Sequence, residues 1–138
     1  MDNMTFAVWV SDRLHFSDND KRACFETAAT IVDMAVDVRR NGLLSLDAKI
    51  PSIPEFLLRE GIRLAVDSTD PETLRELMQR WVIAGDYRDA ELLRRLVIID
   101  GVLAIVNGEN PNSIRIRLGT FFGEDLQQEF SEYGKNNN

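Results

Sequence analysis

The sequence predicts a single all-α domain, a helical bundle, and three observations carry that expectation. Helix-start signals recur along the chain, each followed by apolar residues three and four apart. Glycines or proline-bearing turns close these runs. The only stretch that alternates like a strand, residues 5–10 (Thr-Phe-Ala-Val-Trp-Val), has no second strand to pair with, so a helical first element is expected there as well.

Taken in order, Ser17-Asp18-Asn19-Asp20 offers several N-caps before a long run over about residues 21–41, in which Phe25, Ala29, Val32, Val36 and Arg39 share a face. The run is apolar enough around residues 28–38 to be central, and Gly42 sits where a left-handed residue ends a helix. Residues 43–49 should make one or two turns. Ser52-Ile53-Pro54-Glu55 has the spacing of a capping box and opens a helix to Val66. Asp70-Pro71 repeats the start signal, Leu74, Leu77, Met78 and Trp81 make a stripe, and Gly85 closes it. The longest helix is expected over residues 86–107, roughly 22 residues or about 33 Å. Its seam is Leu92, Leu96, Ile99, Leu103 and Val106. Gly108 ends it, and Asn110-Pro111 opens the next helix, with Ile114, Leu118, Phe121 and Phe122 inward. A last helix covers residues 124–133 with Leu126 and Phe130. Residues 1–134 thus read as one domain and 135–138 as a disordered polar tail.

A chain of 138 residues with 44% hydrophobic content can bury a core without staples. The one cysteine, Cys24, excludes an intramolecular disulfide and reads as a small buried hydrophobe. A net charge of −7 repels phosphate backbones, so nucleic acid is not an expected partner. The N-terminus has neither the basic start nor the apolar stretch of a signal peptide, and a cytoplasmic location is expected. The most apolar window, residues 92–106, is broken by Arg94, Arg95 and Asp100, so no membrane insertion is expected.

Catalytic chemistry finds little support. His15 is the single histidine and has no nucleophile or ligand motif beside it. No glycine-rich loop carries the Lys-Ser/Thr signature of a phosphate cradle. Asp18 with Asp20, and Glu124 with Asp125, sit at helix starts, where capping and the helix dipole account for them. Neither an enzyme nor a cofactor or metal site is expected. Trp81 falls on a helical stripe, whereas Trp9 is either a packed residue or an exposed anchor.

Three motifs in one order carry a resemblance. The first is Arg39, Gly42, Leu43-Leu44-Ser45-Leu46 and Asp47. The second is the proline-marked helix from Pro54 to Asp67 with Ser68-Thr69-Asp70-Pro71 after it. The third is Asp100-Gly101-Val102-Leu103-Ala104-Ile105 followed by Gly108-Glu109-Asn110-Pro111. Together they resemble the cytoplasmic part of MotA, the A subunit of the flagellar stator, over roughly residues 25–122. Where that family has a membrane hairpin, between Arg80 and Leu92, this sequence has a short turn with Gly85-Asp86. The family's first two membrane helices also have no counterpart, so ion conduction does not carry over.

What the resemblance does imply is a protein-binding role for Arg39 and Asp47, which in the family contact charged groups on the rotor's switch protein. Gly42, Gly108, Glu109, Asn110 and Pro111 are the structural motif around them. The reading is a protein–protein interaction module linked to flagellar motility, its partner a flagellar rotor or stator component. Two alternatives stand beside it. One is a self-associating structural subunit that docks on membrane-embedded stator relatives through the seam of residues 92–106. The other is a helical small-molecule sensor.

Overall fold

A computed structural model describes residues 3–136, with side chains for residues 4–134, and among these residues every regular element is helical. The order is α1 (Asn3–Val10), a 3-10 turn (Ser11–Arg13), α2 (Asp18–Arg22), α3 (Phe25–Asn41), a 3-10 segment (Leu43–Ser52), α4 (Phe56–Val66), α5 (Pro71–Gly85), α6 (Asp89–Val106), α7 (Pro111–Gly119), a 3-10 turn (Thr120–Phe122) and α8 (Gly123–Asn136). The first element is a helix, and α8 is assigned to Asn136; Asn137 and Asn138, within the expected tail, lie outside the described residues.

The caps sit where short-range chemistry puts them. Ser17 accepts from the Asp20 amide while Asp20 accepts from the Ser17 amide, a complete capping box. Asp70 accepts from the amides of Glu72 and Thr73, and Asn110 from that of Ser113, each with proline at the first helical position.

Several boundaries differ from the sequence reading. The run expected from residue 21 is interrupted at Ala23 and Cys24, so α2 and α3 are separate. The interruption is held from a distance: Arg94 donates to the Ala23 carbonyl at 3.0 Å, and the Cys24 thiol meets the Ala90 carbonyl at 3.5 Å. At the start of α4 the cap is Glu55, which accepts from the Leu58 amide, whereas the Ser52 hydroxyl turns back to the Lys49 carbonyl. Pro54 explains the shift, because it forces Ile53 into extended backbone (ψ 114°) and ends the 3-10 segment at Ser52, three residues before Glu55. After α5 the left-handed residue is Asp86 (φ 50°), not Gly85. Gly85 serves the ring of Tyr87, which would lie 2.1 Å from any Cβ there.

The largest correction concerns α6. It has 18 residues, and its burial runs round most of its circumference: Leu92, Leu93, Val97, Ile98, Val102 and Ile105 are all shielded from solvent. Leu96 and Val106, two members of the expected seam, are only half-buried. A helix apolar on nearly all sides belongs in the middle of a bundle, and α6 packs against α2, α3, α4, α5 and α7. The seam therefore faces this chain's own helices. Phe121 is likewise half-buried, while Phe122 enters a cluster with Phe25 and Phe130. Where α3 crosses α6, Gly101 lets the helices close up, since a Cβ would stand 2.7 Å from Ile31 Cγ2. No helix among the described residues is long and apolar enough to cross a membrane.

Candidate functional site

The surface singled out by the first motif is built around the end of α3. Arg39 and Arg40 occupy its last turn, where cations are favoured by the helix dipole. Gly42 then turns the chain with φ 84° and ψ 163°, a conformation open essentially to glycine alone. Its amide donates to the Val38 carbonyl at 2.8 Å, and its carbonyl accepts from both the amide and the hydroxyl of Ser45. The 3-10 segment that follows is pinned by Leu46 and Ile50, both buried, and by an ion pair between Lys49 and Asp37 of α3. Leu44 points outward at 72% exposure.

Arg39 and Asp47 are both exposed, and neither makes a hydrogen bond or ion pair with any described residue. Arg39 differs in this from most of the chain's arginines. Of the other arginines, all except Arg40 and Arg115 pair with a carboxylate.

The fold also brings the first and third motifs together. Arg39 shares a notch of about 230 Å³ with Ala35, Val38, Ile105, Gly108 and Glu109. Gly108 has φ 77°, and the residues behind it are tied inward. Arg117 reaches Glu109 at 2.9 Å and Asp100 at 3.5 Å. Burial pushes the Asp100 carboxyl above its ordinary range; Arg117 and Arg75 oppose that shift and Glu109 adds to it. Sequence reasoning missed this network, because Glu109 and Arg117 are eight residues apart across a turn and show no helical spacing. Asn110 and Pro111 act as cap and first helical residue, so the third motif is architectural.

The remaining candidates are dispersed. His15 is exposed between α1 and α2. Cys24 is fully buried, and burial pushes its thiol up to about 11, which leaves it unreactive. Trp9 is half-buried beneath the Arg13 guanidinium at 4.3 Å, and Trp81 packs edge-on against Phe56. No cluster of His, Cys, Asp and Glu among the described residues could hold a metal ion.

Comparison with known proteins gives partial matches. The chain is 32% identical to Motility protein A of Bacillus subtilis over 76 residues, 55% of this chain and 28% of that protein. It is 38% identical to Motility protein A of Borreliella burgdorferi over 48 residues, 35% of this chain and 18% of that one. It is 37% identical to the uncharacterized protein YtxD of Bacillus subtilis over 59 residues, 43% and 22%. The matches therefore span less than a third of each relative. No protein-family model matches the chain, and no solved structure matches it.

Proposed function

We propose that the chain is an interaction module of the MotA cytoplasmic kind, linked to flagellar motility, that meets a charged face of a rotor or stator protein through Arg39 and Asp47. The observation that carries this reading is the pair itself: two opposite charges on either side of the Gly42 turn, both exposed and both unpaired among the described residues, in a chain most of whose arginines find carboxylates. The partial similarity to two proteins named Motility protein A supports the direction. Exposed charges of this sort add little to folding and act on encounter rate and orientation. Ion conduction is no part of the proposal.

The test is binding of the purified chain to the rotor switch protein of the same cell, followed by biosensor at low and high salt. Arg39→Glu with Asp47→Lys should keep the melting temperature of the parent and lose capture, with the parent's affinity falling as salt rises. Unchanged capture with a lowered melting temperature would make the pair structural and defeat the reading, as would a parent chain that binds neither rotor nor stator proteins.

A further inference from the structure

We propose that the groove between α7 and α8 binds an amphipathic carboxylate, a monoanionic head on an apolar tail. The groove encloses about 450 Å³, within the range of about 300–1,000 Å³ usual for small-molecule sites. Its long axis follows from three contacts. At one end the Arg115 guanidinium lies against Gly134, where a Cβ would stand 2.5 Å from Nη1. In the middle Gly119 packs on Phe130, its would-be Cβ 3.4 Å from the ring. At the other end Thr120, Gly123 and Glu124 form the corner where α7 turns into α8.

The lining carries a charge at each end, Arg115 and Glu124, with Ile116, Gly119 and Phe130 between them and Gln127 and Ser131 on the rim. Phe130 is buried and makes the floor; Ile116, 69% exposed, makes a wall that no described residue covers. Arg115 is half-buried and makes no hydrogen bond or ion pair with any described residue, although the chain carries an excess of acids. A half-buried unpaired guanidinium presents its donors to an anion, and a carboxylate matches their planar fork. The acid lining the groove, Glu124, stands ten residues before Gly134 on α8, about 15 Å away along the helix, too far to neutralise Arg115. It also disfavours an anionic head at the corner. The head therefore belongs at Arg115 and the tail along Ile116, Gly119 and Phe130.

The slot beside Trp81 differs on this point, because the arginine there, Arg95, is already paired with Glu55 and Glu91.

Decanoate, below its micelle concentration, is the probe, titrated calorimetrically into the whole chain beside decanol and decylammonium. Decanoate should bind one to one and raise the melting temperature, with both controls weaker by about tenfold or more. Arg115→Gln should remove that preference while leaving decanol binding as it was. Ser131→Phe should fill the groove and abolish all binding; if that variant fails to fold, Gln127→Trp on the exposed rim serves the same purpose. Equal binding of the three probes, or decanoate binding that survives both Arg115→Gln and the groove-filling variant, would overturn the proposal. So would a stable dimer by light scattering that Gln127→Trp dissociates, because a second copy would then be the occupant.

Discussion

At the scale of single residues, two glycines with positive φ separate conformational cost from steric cost, because a Cβ would meet nothing within 4 Å at either Gly42 or Gly108. Gly108→Ala should therefore destabilise by about 1 kcal/mol through backbone strain alone. Gly42→Ala should cost more, about 1–3 kcal/mol, because ψ 163° puts it outside the left-handed helical well that other residues visit. Urea titrations of the two variants check the order; equal costs would show that ψ is irrelevant. Asp100 supplies a pH dependence. Burial raises its carboxyl pKa in the folded state, so folding favours the protonated form, and its contribution is lost as pH rises from the unfolded value through the folded one. Asp100→Asn cannot ionise. Its stability relative to the parent should improve on going from about pH 3 to about pH 7, as read by denaturant titration at each pH. A relative loss over that interval would mean that the pairing with Arg117 outweighs burial.

At the scale of elements, what the sequence reveals and what it hides divide by the range of the interaction. Asp70-Pro71, Asn110-Pro111 and the Ser17–Asp20 box are legible because each cap bonds amides within three residues of itself. The break between α2 and α3 is not legible, since Arg94 and Ala90, which hold it, lie 71 and 66 residues downstream of their partners. Nor is the burial of α6 readable from a four-and-three seam, because neighbours on five sides bury positions that one partner helix would leave exposed. That geometry predicts an inversion within α6. Ile98→Ala, at a site fully shielded from solvent, should cost about 2–5 kcal/mol through lost burial and a residual cavity. Leu96→Ala, on the nominal seam but half-buried, should cost less, because water and mobile side chains refill the space. Thermal melts of the pair give the comparison, and a costlier Leu96 variant would restore the seam as the packing face.

At the scale of the whole molecule, the candidate surface is legible in the sequence only through the order of three motifs, since an exposed arginine and an exposed aspartate have no periodicity to announce them. The groove at Arg115 has no sequence signal, because its lining comes from two helices, Arg115, Ile116 and Gly119 on α7 and Gln127, Phe130 and Ser131 on α8. The field of the molecule offers a control that local geometry cannot. With net charge −7 the chain repels any acidic partner at long range, while Arg39 and Arg40 attract acidic groups at short range. Arg39→Glu alone makes the chain more negative by two units. Adding Asp47→Lys restores −7, so the double variant keeps the parent's net charge and changes only the pattern. If orientation at this surface governs capture, the double variant should associate as poorly as the single one at every ionic strength. If net charge governs, the double variant should recover the parent's association rate, and the single variant should approach it as salt is raised past about 0.1 M, where the screening length falls to about 10 Å. Stopped-flow association rates for the three chains against the switch protein, across a salt series, distinguish the two; recovery in the double variant would remove Arg39 and Asp47 as an orienting pair.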